Sequence, residues 1–319
     1  MSVSTAHTLK RLFHGARHSA RPSWVSILTA SLALALFACA GTPVPQPFPT
    51  PFQVIAHRGA SAYAPENTIA AYDKARDLGV VDVELDIQLS KDDVVVLYHD
   101  SSLKEKTGVR GKVRDYEAAD LLEMDIGSWF DRTHPEAEET FAGTKLNTLA
   151  ALFENFGDTF RYHVELKSKD RDLVALALIQ IEAYGLQDRV RFTSFEREQV
   201  VRAHAQAPHI PTGLLVRDLT RLRAEASGTK VRSNLELQQQ VVDRAVVSGF
   251  DQVAFASEDL SHDLVAYVQT QGLSIRAWRI KSDADMMRAI EMGTSGMTTN
   301  WPDRLIRELL KHKRVTPSP

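Results

Sequence analysis

Cysteine is almost absent: Cys39 is the only one in 319 residues. No disulfide can close within the chain, so packing alone must hold any fold together. Carboxylates are missing from the beginning of the chain, where the first acid is Glu66 while Lys10, Arg11, Arg17 and Arg21 stand unopposed. A long apolar run is missing too. Trp24–Ala38 spans 15 residues without a charge, short of the roughly 20 that a spanning helix needs. No basic run follows these first arginines, which argues against nucleic acid as a partner.

A basic segment followed by a short apolar core reads as a secretory signal over residues 1–38, with a single uncleaved anchor as the other reading. Leu36-Phe37-Ala38-Cys39 resembles a bacterial lipoprotein signal, which would make lipidated Cys39 the first residue; Ala38-Cys39-Ala40 is the competing small-x-small cleavage site. Lipidation at Cys39 is the expectation, and with it an exported protein of the periplasm or cell envelope. Residues 39–51 form a tether, in which Thr42–Pro51 holds five prolines in ten residues and favours an extended spacer. Loss of residues 1–38 removes four basic residues and no acid, leaving 38 − 4 = 34 against 41, a net charge of −7.

The body runs over residues 52–313, followed by a short tail expected to be disordered over residues 314–319. Its size matches the typical ~250 residues of a (β/α)8 barrel. Short β-rich runs alternate with helical patterns. The strand candidates are Gln53–His57, Val81–Leu89, Val94–His99, Tyr162–Lys167, Val190–Ser194, Thr212–Val216, Gln252–Ala256, Ser274–Arg279 and Gly296–Thr299. Helical patterns such as Thr68–Leu78, Leu173–Tyr184 and Asp283–Glu291 fall between most of them, often ended by glycine. Repeated strand–helix units predict a parallel sheet, here an α/β fold of the (β/α)8 TIM-barrel type. A doubly wound open sheet lacks support, because no glycine-rich turn follows the first strand. Only Ser90-Lys91-Asp92-Asp93 separates the second and third candidates, too little for a parallel crossover. The pair is therefore expected as an antiparallel hairpin on the rim. Residues 101–145 carry scattered glycines and charges, with one short helix at Tyr116–Glu123, and read as an irregular insertion on the C-terminal rim.

The chemistry centres on Val81–Leu89. Apolar residues take its odd positions, and Asp82, Glu84 and Asp86 share its other face. Paired carboxylates repel unless a cation or a proton intervenes. Glu165 and Lys167 share one face of a later strand end, and His57-Arg58 and His99 stand at two others. Glu84, Asp86 and Glu165 form an all-oxygen set suited to one hard divalent cation, Ca²⁺ or Mg²⁺, while the two histidines leave zinc and manganese open. Arg58 and Lys167 beside it suit an anionic substrate, and a phosphate above all. His57 and His99 fit paired acid–base work near neutral pH. Asp82 is assigned no role. His163 is expected to be an interior hydrogen-bonded histidine, while Glu66 and Asn67 are read mainly as caps of the helix starting near Thr68, with Glu66 also kept as a site candidate.

His57-Arg58-Gly59-Ala60 followed by Pro65-Glu66-Asn67-Thr68, then Glu84-Leu85-Asp86-Ile87-Gln88-Leu89, His99-Asp100 and Glu165-Leu166-Lys167 resemble, in order and spacing, the glycerophosphodiester phosphodiesterase family. The resemblance spans about Val54 to Leu310. It implies a barrel with a rim insertion, His57 and His99 as acid and base, Glu84, Asp86 and Glu165 as metal ligands, and Arg58 and Lys167 as phosphate contacts. It further implies a small glycerophosphodiester substrate, whose own glycerol hydroxyl attacks to form a cyclic phosphate that water opens to glycerol 3-phosphate. Trp278 matches the family and is expected to wall the glycerol pocket. Arg279, Lys281 and Asn300 depart from the family pattern, which bears on the alcohol that leaves. The alternatives are a phospholipase D-like enzyme acting on lysophospholipids or wall polymers through an apolar channel near Trp129 and Phe130, and a non-enzymatic surface lipoprotein. A glycosidase also uses paired carboxylates, but the surrounding cations and histidines fit it poorly.

Overall fold

A computed structural model describes residues 52–226 and 233–315. The signal sequence, Cys39 and the proline-rich tether lie outside the described residues. Ten strands form one sheet: β1 (Gln53–Ala56), β2 (Asp82–Leu89), β3 (Val95–Leu97), β4 (Asn147–Thr148), β5 (Arg161–Leu166), β6 (Val190–Ser194), β7 (Thr212–Leu215), β8 (Gln252–Ala256), β9 (Ser274–Trp278) and β10 (Gly296–Thr299). Their order is β1-β10-β9-β8-β7-β6-β5-β2-β3-β4, and a further β1–β2 pairing closes the ring. Eight strands, β1, β2 and β5 to β10, are parallel neighbours around a barrel. The fold is thus the (β/α)8 barrel that the alternation of strands and helices predicts.

The surplus strands leave the barrel wall as expected. β3 runs antiparallel to β2, with Ile87 opposite Leu97 and Leu89 opposite Val95. A second antiparallel partner, β4, pairs with β3 and has no counterpart among the sequence candidates. Two residues are too few to show a period of two, which is why this strand escapes a pattern search. Tyr98 N–H donates to Asp86 O at 3.1 Å, so the hairpin brings His99 back beside the second strand's acids.

The barrel strands divide their residues between two environments. Val83, Leu85, Ile87, Tyr162, Val164, Leu166 and Phe192 pack with helix residues such as Tyr72, Leu173, Ala177 and Ile181. Val253, Phe255, Ile275, Ala277 and Met297 do the same with Val242, Leu264, Met286 and Leu305. Burying each such aliphatic or aromatic side chain contributes about 1.5–3 kcal/mol. The intervening residues include Asp82, Glu84, Asp86, His163, Glu165, Arg191, Thr193, Arg276 and Thr298, all buried as well. This barrel therefore has an apolar layer outside its wall and a charged interior.

The first helix of the barrel (Ile69–Asp77) is capped by Thr68, whose Oγ1 accepts from Ala71 N–H. Glu66 and Asn67 are not its caps; both side chains turn toward the barrel mouth instead. Gly59 ahead of them has φ +80°, and a Cβ there would lie 2.6 Å from the Ala71 carbonyl carbon. Only glycine permits this approach of loop to helix. The insertion is more ordered than expected, with short helices at Lys104–Thr107, Ala118–Leu121 and Gly127–Thr133. The last helix, Pro302–Val315, runs two residues into the segment expected as tail. Among the described residues, no helix is long and apolar enough to cross a membrane.

Candidate active site

Strand register assembles the acids. β2 and β5 pair with Glu84 opposite His163 and Asp86 opposite Glu165. Ligand oxygens of Glu84, Asp86 and Glu165 all lie within 4.8 Å of one another, and all three residues are buried. Burial first, then Asp86 and Glu165, pushes the Glu84 carboxyl well above the ordinary carboxylate value. Burial also raises Glu165, against the pull of Lys167. Asp86 is the exception: burial would raise it, but Arg58, His99 and Lys167 together hold it below the usual range.

The acids fit a cation by their unmet valence. Glu84 Oε1 and Asp86 Oδ1 are buried with no hydrogen-bond partner. Lys167 Nζ approaches Asp86 Oδ1 only to 3.7 Å, while it lies 2.8 Å from Glu165 Oε1. Buried carboxylate oxygens are normally satisfied. Two left unmet beside a third carboxylate make an oxygen-lined position for a hard divalent ion.

The β1–helix loop supplies the phosphate-binding candidates. Arg58 takes φ +56° and Asn67 φ +58°, a left-handed backbone that costs most residues energy and clusters at functional sites. The strain aims both ends of Arg58 at the acids. Its backbone N–H donates to Glu84 Oε2 at 3.0 Å, its Nε lies 3.0 Å from Asp86 Oδ2, and its Nη1 donates to Glu66 Oε2 at 2.8 Å. Asn67 Nδ2 donates to the same Asp86 oxygen at 2.9 Å, and Asp86 N–H donates back to Asn67 Oδ1.

The two histidines flank this centre with different partners. His57 Nδ1 lies 2.6 Å from Asn300 Oδ1 and its Nε2 lies 3.8 Å from Glu84 Oε2. An amide oxygen only accepts, so the contact places the His57 proton on Nδ1 and leaves Nε2 with its lone pair. Burial, and then Arg58, lowers the His57 pKa to about 3. His99 Nδ1 instead lies 2.6 Å from Asp100 Oδ1.

Two cavities meet here. One, of about 360 Å³, is lined by His57, Arg58, Glu84, Glu165, Trp278 and Asn300 among others. The second, about 1110 Å³, opens along the insertion past Lys104, Lys112, Arg114 and Arg221. His99 lines both. Trp278 stands edge-on to Phe195 with centroids 5.1 Å apart and donates from Nε1 to Val216 O. It lines the smaller cavity together with Arg279 and Lys281. The apolar channel expected of a lysophospholipid enzyme does not run through Trp129 and Phe130. Phe130 is buried against Phe141, and the Trp129 ring lies over the Lys106 ammonium.

All eight site residues expected within the barrel, His57, Arg58, Glu84, Asp86, His99, Glu165, Lys167 and Trp278, converge at its C-terminal mouth. Beyond Asn67, read as a cap but bonded to Asp86, the sequence reading gave no site role to Arg276 or Lys106. Arg276 lies two residues before Trp278 on β9, is buried, and lines the smaller cavity; the alternation of β9 alone put it on the Trp278 face. Lys106 offered no signal, since Lys104-Glu105-Lys106 reads as a solvated charge run.

A sequence model of the glycerophosphoryl diester phosphodiesterase family matches residues 57–304. A glycerophosphodiester phosphodiesterase from Bacillus subtilis (strain 168) is 32% identical over 258 residues, covering 78% of this chain and 83% of the relative. One from Caldanaerobacter subterraneus subsp. tengcongensis is 30% identical over 265 residues, 81% of this chain and 98% of the relative. Among solved structures, an Oleispira antarctica phosphodiesterase in complex with the product sn-glycerol-3-phosphate superposes with TM-score 0.68 at 23% identity, covering 81% of this chain and 96% of that one.

Proposed function

The chain belongs to the glycerophosphoryl diester phosphodiesterase family of enzymes, and from that premise we propose that it hydrolyses glycerophosphodiesters to glycerol 3-phosphate and an alcohol by metal-dependent histidine acid–base chemistry. One observation carries the reading: three buried carboxylates with two unmet oxygens, flanked by two histidines, Arg58 and Lys167. Glu84, Asp86 and Glu165 would hold one divalent cation, Ca²⁺ or Mg²⁺, which when bound neutralises charge on the phosphoryl oxygens.

The remaining steps belong to side chains. Arg58 and Lys167 flank the acids and draw the phosphodiester anion into the mouth. His57, neutral with its Nε2 lone pair free to accept, takes the proton of the substrate's glycerol hydroxyl. The hydroxyl oxygen bonds to phosphorus as the bond from phosphorus to the other alcohol breaks. That alcohol leaves toward the larger cleft, and His99, which borders it, supplies its proton. The cyclic phosphate is then opened by water: His99 removes the water proton and His57 returns its proton to the glycerol oxygen. Both histidines end as they began, so the cycle balances. The Oleispira antarctica relative, whose structure holds sn-glycerol-3-phosphate, supports the product named here.

The charged lining of the larger cleft favours a polar alcohol over an acyl chain. The basic and apolar leader and Cys39 support export and a lipid anchor. Glycerol 3-phosphate release from glycerophosphocholine, assayed with and without EDTA, tests the activity; turnover unaffected by the chelator and by Glu84→Ala would overturn it. Lysophosphatidylcholine in the same assay separates the lysophospholipase alternative. Mass spectrometry of the mature N-terminus tests lipidation at Cys39.

A further inference from the structure

The rim insertion sends one side chain into the machinery. Lys106, on the short helix Lys104–Thr107, is only 6% exposed. Its Nζ lies 2.5 Å from Glu66 Oε1 and 2.8 Å from Asp100 Oδ2. The rings of Tyr98 and Trp129 enclose it, with centroids 5.7 and 5.0 Å away. A buried lysine normally sheds its charge or finds a carboxylate; this one has two.

Each of those carboxylates commits its other oxygen to a different half of the site. Glu66 Oε2 accepts from Arg58 Nη1 at 2.8 Å, and Asp100 Oδ1 meets His99 Nδ1 at 2.6 Å. A chain of alternating partners therefore runs His99–Asp100–Lys106–Glu66–Arg58–Asp86, with the last contact at 3.0 Å. Lys106 is its central link. Without the ammonium, two carboxylates that share one cation would face each other and swing apart. Asp100 would release the imidazole, and Glu66 would release the guanidinium.

We propose that Lys106 is a positioning residue through which the rim insertion holds His99 and Arg58 in register with each other. The inference rests on the roles given above to His99 and Arg58. A lysine that merely anchored the insertion would need only one barrel carboxylate. The double commitment ties the orientation of the acid–base group to that of the phosphate-binding group. The contact with Asp100 also requires a proton on His99 Nδ1 in either charge state, so the proton given to the leaving alcohol sits on Nε2 of the imidazolium, and the neutral ring is the Nδ1–H tautomer.

The test uses metal-supplied enzyme, with wild type, Lys106→Met and Lys106→Arg compared at equal folded fraction. Expected for Lys106→Met are a kcat roughly 10–100-fold lower, weaker competitive inhibition by inorganic phosphate, and a His99 ¹⁵N spectrum shifted from the Nδ1–H tautomer toward a mixture. Lys106→Arg, which can still bridge two carboxylates, restores most of all three. A folded Lys106→Met with wild-type kcat, phosphate inhibition and His99 tautomer would overturn the proposal and leave Lys106 as an anchor. If Lys106→Met does not fold, the wild-type spectrum still decides, because a dominant Nε2–H tautomer at His99 is incompatible with the chain described. The phosphate and tautomer readouts need no turnover, so wild type inactive on glycerophosphodiesters would sink the functional reading without touching this one.

Discussion

Asp82 and Glu84 stand two residues apart on the same strand, point to the same interior and are about equally buried, yet they are opposites. Asp82 accepts from Arg161 at both oxygens, at 2.9 and 2.5 Å, and lies 3.2 Å from His163 Nε2. Burial works against its ionisation, but His163 and Arg161 outweigh it and hold the carboxyl below the usual range. Glu84 accepts one backbone N–H from Arg58, leaves Oε1 unmet, and is pushed up by burial and by its acidic neighbours. In the lower layer Asp82 meets cations at both of its oxygens, whereas in the upper layer Glu84 and Asp86 each keep one oxygen without a hydrogen-bond partner. Two equally buried acids on one strand thus differ in what faces them.

That contrast can be broken experimentally. The largest effect is expected from Glu84→Ala, which should reduce glycerophosphodiester turnover to background and abolish the rise in melting temperature that Ca²⁺ or Mg²⁺ gives wild type. At saturation a hundredfold above Kd, that rise corresponds to about 2.7 kcal/mol. Without metal, Glu84→Gln should raise the melting temperature, because it removes one of three mutually repelling acids. Should the same substitution lower metal-free stability, the upper layer is as closed as the lower one.

Next come the histidines: His57→Ala and His99→Ala should each lower kcat by about 10²–10⁴-fold, with little loss of metal binding. Asp82→Asn, in the lower layer, should do the reverse. It should cost about 1–3 kcal/mol by weakening the charge-assisted hydrogen bonds to Arg161 and His163, as read by denaturant melts, and leave activity per folded molecule nearly unchanged. Since the folded Asp82 pKa is depressed, its contribution is present above the unfolded value of about 4 and is lost as pH falls through the folded value. Asp82→Asn should therefore flatten the acid limb of the stability curve. Activity lost in proportion to stability would show the two layers to be one unit.

The smallest effect concerns Asn300. A carboxylate in place of this amide would favour the imidazolium of His57, raising a pKa that burial and Arg58 depress to about 3. The base must be neutral, so Asn300→Asp should move the acid limb of kcat/KM to higher pH by about one to three units. An unmoved limb would assign the base to another group.

Much of this was readable along the chain. The period of two in Val81–Leu89 located both Asp82 and Glu84, and the short turn after Leu89 required the hairpin that returns His99. Glu165 and Lys167 declared themselves by the same spacing. Partners supplied across space were not readable. Nothing in Lys104-Glu105-Lys106 separates the exposed lysine from the buried one. Glu66 and Asn67 look like ordinary caps because the cap position itself falls one residue later, at Thr68. Strand β4 was too short to carry a pattern.

The sequence by itself determined the architecture and the candidate ligand set, because alternation and strand–helix spacing are local properties and each acid sits at a strand position that alternation assigns to one face. It also put Asp82 and Glu84 on one face and counted only Glu84 among the candidate ligands. Only the tertiary structure showed what separates them. Register brings Arg161 and His163 to Asp82, about 80 residues along the chain, and brings Asp86 and Glu165 to Glu84. Whether a buried carboxylate is neutralised or left waiting for a cation depends on which charges lie within a few ångströms of it, and that distance is set by packing between strands, not by order along one of them.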